Sequence, residues 1–351
     1  MTFLSTTKPV RRVPGIGPRT AKIAIVGEAP GAYEDAQLKP FVGPAGGVLE
    51  QCLHAAGLIR SDVYLTNVVK ERPTGNNIAP FFDGKTFSAL GIAWVQELRS
   101  ELDDLQPNII VACGKTAMAA ITGQTAITKF RGYILDTIGL EHVKKCIPCI
   151  HPAACLYNQG GGDKGGLSTS VAKPYLYRYV ITSDLRKAKL ESASAELVRP
   201  QRQLVYNYAN VNEVLEWLTY FAEQPLVCFD IEVLNYEVSC ISFSSSPEIA
   251  ASIPIANSWS ESDEAQIWRA IQTVLGNPTS VKVGQNLIFD SHFLLTRCGV
   301  EVRGPIQDTM IAHSIIFPEL PKGLGFLGSV YCGAQAYWKD LIKWDNIKEE
   351  S

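Results

Sequence analysis

An apolar run that stops at glycine and gives way to a helix-forming stretch recurs through the first half of this chain, and it narrows the possible folds more than any other feature. Lys22-Ile-Ala-Ile-Val-Gly27 has no polar position between its ends, so a strand there is buried on both faces. Residues 45–58 follow, with Leu49, Leu53 and Ala56 at helical spacing. The pattern then predicts strands over 63–69, 108–114 and 146–150, with helices over 87–105 and 115–122. Such alternation predicts a parallel sheet covered by helices, an α/β architecture. Ligands in such sheets usually sit at the carboxyl ends of the strands.

The polar stretch 183–203, with Asp184-Leu-Arg-Lys-Ala-Lys-Leu and then Arg199-Pro-Gln-Arg202, reads as the connection to a second unit. This sets a first domain at 1–190, a linker at 191–203 and a second domain at 204–351. Strands are predicted over 204–208, 226–232, 238–244, 250–255 and 280–285. Val211, Leu215 and Leu218 mark one helix. A second spans 262–275, with Ile267, Ala270, Ile271, Val274 and Leu275 on one side, and others lie near 288–297 and 308–317. Residues 160–166, Gly-Gly-Gly-Asp-Lys-Gly-Gly, read as a short flexible loop.

Charge is divided between the halves: residues 1–190 carry a net +7 and residues 191–351 a net −10. A basic half suits a polyanion such as DNA, and an acidic half suits one only when bound cations offset part of its charge. No apolar run reaches the roughly 18 residues of a membrane span, and the first residues lack a signal-peptide core. Nine scattered cysteines fit reduced thiols, hence a cytoplasmic expectation.

Three short motifs fail on inspection. Gly114-Lys115-Thr116 ends like a phosphate-binding loop, but position 109 is Ile where that loop needs glycine. Gly15-Ile-Gly17 precedes a strand and does not open a helix. Cys146, Cys149, His151 and Cys155 have metal-like spacing, but 146 and 149 point to opposite faces of a strand.

One constellation is informative. Gly27-Glu-Ala-Pro-Gly31, Glu34-Asp35, and Pro40-Phe-Val-Gly-Pro-Ala-Gly46 follow the first strand, Thr66-Asn67-Val-Val-Lys70 ends the second, and His151-Pro-Ala-Ala154 follows the fourth. All lie at carboxyl ends of strands and should converge on one rim carrying a carboxylate, an amide, an aromatic ring and an imidazole. That set suits a planar heterocycle whose glycosidic bond breaks through an oxocarbenium-like state. On these motifs the chain resembles the uracil-DNA glycosylase superfamily, family 4 most closely, over about 160 residues. The resemblance implies that Glu28 holds or activates water and Glu34 crowds a thymine methyl. It implies further that Phe41 stacks on flipped uracil, Asn67 pairs with its edge, and His151 sits near its O2. Family 4 proteins also hold an iron–sulfur cluster on four cysteines. Lys70-Glu71-Arg72-Pro73-Thr74 stands where the family reads KCRPP, no CxxC precedes the first strand, and no iron–sulfur cluster is expected. Leu38-Lys39 replaces the family's glycine before PFVG, and Cys155-Leu-Tyr-Asn-Gln replaces the basic wedge after HPAA.

A second constellation lies at Phe229-Asp-Ile-Glu232, where Asp230 and Glu232 share one strand face, with Asp290 at a helix start. Close carboxylates repel unless cations separate them, and oxygen-rich clusters suit Mg2+ or Mn2+. These residues, with Gln285-Asn-Leu-Ile-Phe-Asp290, resemble the 3′–5′ proofreading exonuclease domain of polymerase I-type DNA polymerases over about 204–345. The resemblance implies an RNase H-like mixed-sheet α/β (DEDD exonuclease) fold, metal ligation by Asp230, Glu232 and Asp290, and a substrate contact at Asn286. Val233 replaces the usual Thr, and neither Tyr331 nor Tyr337 has Asp four positions on, so the third motif is missing and the nuclease is expected to be weak or absent. The combined expectation is the amino-terminal part of a phage-type DNA polymerase, split or a fragment. It would act on uracil-containing DNA or a primer end and work with a downstream polymerase domain or subunit. The alternative is a non-catalytic uracil, modified-base or DNA-binding accessory module.

Overall fold

The computed structural model describes residues 11–156, 174–199, 201–256 and 258–332. They form two compact units, one made of the residues up to Val198 together with those from Gly325 on, the other of Arg199–Leu324. The Tyr157–Gly166 part of the wedge and glycine loop, and the positions 335, 337 and 341 used to test for a third nuclease motif, lie outside the described residues.

The first unit runs β1 (Ile23–Gly27), α1 (Ala32–Gln37), α2 (Pro44–Ala55), β2 (Tyr64–Asn67), a small hairpin of β3 (Phe82–Asp83) and β4 (Thr86–Phe87), α3 (Ala89–Leu105), β5 (Ile109–Cys113), α4 (Lys115–Thr122), α5 (Ile127–Phe130), β6 (Leu135–Asp136), β7 (Lys145–Cys149) and α6 (Pro174–Glu191). Its sheet has the order β2-β1-β5-β7-β6, and all neighbours are parallel except β6. Every residue of β1, β2, β5 and β7 is buried, as expected for strands covered on both faces. Helix α3 shows why the sequence folds this way locally. Ser88 caps it by accepting from the Gly91 amide, and Val95, Leu98, Leu102 and Leu105 form its buried stripe.

The start of the polar stretch is helical. Residues 183–191 continue helix α6, in which Val180, Ile181, Leu185 and Ala188 are fully buried. The polar letters that suggest a linker are the exposed face of that helix plus one buried acid. Asp184 accepts from Arg131 at both carboxylate oxygens, one of them at 2.5 Å, and neither residue reaches solvent.

The second unit runs β8 (Gln203–Val205), α7 (Val211–Ala222), β9 (Leu226–Leu234), β10 (Glu237–Ser246), β11 (Ile249–Pro254), α8 (Glu261–Gly276), β12 (Val281–Gly284), α9 (Leu287–Cys298), β13 (Ile306–Asp308) and α10 (Thr309–Ile316). The sheet order is β13-β12-β9-β10-β11-β8, with β9, β10 and β11 antiparallel and the remaining pairs parallel. Phe221, Phe229, Phe243, Ile267 and Ile271 centre its core. Val227, Phe229 and Ile231 point inward, which turns Asp230 and Glu232 to the exposed face of the same strand.

The second domain, read from sequence as running to 351, departs from this grouping at α11 (Leu324–Tyr331). From Gly325 its described residues belong with the first unit. Arg131 donates to Ser329 Oγ at 2.7 Å, and Lys187 donates to the carbonyls of Gly132, Ser329 and Cys332. Removing one member of a buried ion pair strands its partner's charge, which typically costs about 3–5 kcal/mol. Asp184→Ala should therefore lower the hydrogen-exchange protection of Val111 and Ile147 amides by that amount. These amides report the first unit alone, and unchanged protection would show that the pair is dispensable.

Candidate active site

Parallel pairing aligns the strand ends. Gly27 faces Asn67 across β1 and β2, and Cys113 faces Cys149 across β5 and β7. Strand order reverses between β1 and β5: the chain goes from β1 outward to β2, then returns to the other side of β1. Ligands in open parallel sheets bind at such a reversal. A cavity of about 390 Å³ opens there, lined by Glu28, Glu34, Phe41, Asn67, Pro73, Asn76, His151 and Leu156 among others. All five first-unit residues singled out from sequence thus surround one cavity of small-molecule size.

Each is placed by an identifiable local cause. Asn67 ends β2 almost fully buried, and the buried Lys70 donates to its carbonyl at 2.8 Å while also pairing with Glu101. Burial pushes the Lys70 ammonium down from its ordinary value, and the Glu101 carboxylate opposes that shift. Gly27 is required by close approach: a methyl group there would lie 2.3 Å from Asn67 Oδ1 and 2.7 Å from Phe41 Cζ. Phe41 adopts a left-handed backbone with φ 54°, uncommon for a bulky residue, and Arg60 holds it by donating to the carbonyls of Pro40 and Phe41 at 2.9 and 3.0 Å. The Phe41 and His151 rings lie near-parallel at 26°, with centroids 6.3 Å apart.

Glu34 does more than sequence suggests. One oxygen accepts from the Val42 and Gly43 amides at 3.1 and 2.7 Å, and the other accepts from the Gly31 amide at 3.1 Å. It ties together both loops that carry Phe41 and the Glu28 turn. His151 Nδ1 accepts from the Ala153 amide at 3.2 Å. In the neutral ring the proton therefore resides on Nε2. Burial lowers the His151 pKa below its ordinary value, and the Glu28 and Glu34 carboxylates oppose this.

Sequence reasoning missed Lys70 and Arg60 as supports. A lysine ending an apolar strand is the only signal that would have flagged either, since Arg60 acts on backbone carbonyls.

In the second unit Asp290 is buried and accepts from the Ile231 amide at 3.0 Å. Burial raises its pKa, that hydrogen bond opposes the rise, and Asp308 and Glu232 add to it. Asn286 is the N-cap of α9 with φ 61°. Asp308 caps two helices at once, accepting from Leu287 at 2.7 Å and Met310 at 2.8 Å. Among the described residues, no three His, Cys, Asp or Glu side chains converge closely enough to hold a metal ion. Asp230 and Glu232 lie on the exposed face of β9, and the buried Asp290 reaches the amide of Ile231, the residue between them. No helix among the described residues is long and apolar enough to cross a membrane.

A parallel sheet with a cavity at its reversal point, and a mixed-sheet second unit, make this a two-part α/β chain. Comparison with known proteins agrees. The family profile "Uracil DNA glycosylase superfamily" matches residues 14–172, and the profile "3'-5' exonuclease" matches residues 205–347. A type-4 uracil-DNA glycosylase of Thermotoga maritima is 35% identical over 179 residues, covering 50% of this chain and 81% of that protein. The chain belongs to the uracil-DNA glycosylase superfamily and carries a 3′–5′ exonuclease domain besides. A DNA polymerase of Bacillus phage SP01 is 34% identical over 150 residues, covering 42% of this chain and 15% of that protein. Among solved structures, Escherichia coli RNase D is 18% identical with a TM-score of 0.30, covering 38% of this chain and 34% of that one.

The lowered His151 pKa sets a sign. The ring should stay neutral as pH falls through the ordinary histidine value of about 6.5 and protonate only below it. Because the folded value lies under the unfolded one, this group costs stability as pH drops below about 6.5. Ring-proton NMR titration of His151 checks this, and a midpoint at or above 6.5 would contradict it.

Proposed function

We propose that the first unit takes an extruded uracil from DNA and hydrolyses its N-glycosidic bond. The convergence of Glu28, Phe41, Asn67 and His151 on one cavity is the observation that supports this reading. The Phe41 ring stacks on the base, an interaction worth about 1–3 kcal/mol. The Asn67 amide bonds to the pyrimidine edge. As the C1′–N1 bond breaks, its electron pair passes to the uracil ring and negative charge grows on O2. Neutral His151 donates its Nε2 proton in a hydrogen bond to that oxygen, an arrangement whose loss costs about 2.7–4 kcal/mol in comparable sites. Glu28 orients a water toward C1′ and accepts its proton as the new C–O bond forms. None of these steps uses a metal.

The phage polymerase likeness supports a place beside DNA synthesis, with a polymerase domain or subunit as partner and the host cytoplasm as setting. The second unit, in which neither Tyr331 nor Tyr337 is followed four positions on by Asp, contributes little or no hydrolysis by itself.

The test is base release from uracil-containing single- and double-stranded oligonucleotides, read as alkali-labile abasic sites. Release should persist in EDTA and fall at least 100-fold in Asn67→Ala, on the order of the loss of a site-defining hydrogen bond. DNA binding without base release would instead support the accessory-module reading. Rapid Mg2+-dependent shortening of 3′ ends would overturn the statement about the second unit.

A further inference from the structure

The Gly114-Lys115-Thr116 turn, which fails as a phosphate-binding loop, lies at the strand-order reversal between β1 and β5, on the opposite side of Glu28 from Asn67. Thr116 is buried, and its hydroxyl donates to Glu28 Oε2 at 2.5 Å. The Glu28 backbone is fixed as well, its carbonyl accepting from the Val69 amide at 3.0 Å. The same turn also supports the imidazole. The Gly114 amide donates to the Cys149 carbonyl at 2.8 Å, two residues before His151. Gly114 has φ 90°, and a methyl there would lie 3.2 Å from His151 Cβ, so glycine meets both the backbone and the contact requirement.

We infer that Thr116 is a positioning residue that holds the Glu28 carboxylate toward the cavity, with Gly114 setting the place of His151 from the same turn. One oxygen of Glu28 is occupied by the hydroxyl, which leaves the other to meet the water. Thr116 touches neither base nor sugar; it acts through Glu28. A hydroxyl bonded to a carboxylate favours its charged form, and in a sheltered site this interaction is among the stronger hydrogen bonds. The residue was invisible in sequence because 88 positions separate it from its partner.

This inference rests on the glycosylase reading above, and the experiment separates the two. Uracil release is measured for wild type, Thr116→Val and Thr116→Ser across pH, together with the carboxyl 13C titration of Glu28, assigned through Glu28→Gln. Thr116→Val should lower kcat about 10- to 100-fold, the range expected for one hydrogen bond to a charged group, while KM stays within about twofold. The acid limb of its pH–rate profile should move to higher pH, and Thr116→Ser should recover most of the rate. A purely structural role would move neither the acid limb nor the Glu28 titration. Wild-type kcat and pH profile in Thr116→Val would overturn the inference and leave the glycosylase reading intact. Absence of base release by wild type would overturn that reading. The Glu28 titration then decides the contact: a higher midpoint in Thr116→Val upholds it, and an unchanged midpoint overturns it. If Thr116→Val does not fold, Thr116→Ala takes its place in both measurements.

Discussion

Parallel hydrogen bonding between β1 and its two neighbours is the constraint from which the rest of the first unit follows. It brings Gly27 level with Asn67 on one side and sets Val26 against Ala112 on the other. The segments leaving those strands therefore emerge together, on one rim. A slip of one residue would turn each buried set of side chains to the opposite face, and strands buried on both faces allow no such slip at low cost. The β1–β2 spacing also explains why position 27 tolerates no side chain, since Asn67 and Phe41 already occupy the space.

Carboxylates hold this architecture in two distinct ways. Glu34 and Asp308 are tied to backbone amides and fix loop and helix starts, so their charge organises main chain before any ligand arrives. Glu101, Asp184 and Glu191 instead meet buried cations at Lys70, Arg131 and Lys145. Buried pairs of this kind add little net stability over an apolar substitute, but they penalise any arrangement that separates the partners. Lys70 shows the consequence for the site, because the ammonium neutralising Glu101 also grips the Asn67 carbonyl.

The second unit draws its acids from one strand and one helix. Strand alternation necessarily puts Asp230 and Glu232 on one face, whereas Asp290 starts a helix and finds its partner in the Ile231 amide. Local patterning brings acids near each other; only the packing of α9 against β9 decides whether their oxygens point to a common centre.

Most strands and helices were readable from hydrophobic period, since burial on two faces, one face or one stripe leaves different patterns in the letters. The five rim residues of the first unit were readable too, because each follows a strand end at short range and parallel strands align their ends. What failed was anything whose meaning lies in a distant partner. The polar letters of 183–191 looked like a linker until Arg131, 53 positions from Asp184, turned one of them into a core residue. Glu34 looked like a base-facing group, although its oxygens also tie two loops. Thr116 drew notice only as the end of a failed phosphate-loop motif, and Arg60 carried no signal at all. Sequence by itself determined the element types and the rim, because period and strand ends are local properties. Tertiary structure alone decided which charges pair, which carboxylate is held by a hydroxyl, and that Asp290 meets the Ile231 amide, because hydrogen-bond geometry depends on chain segments that only folding brings together.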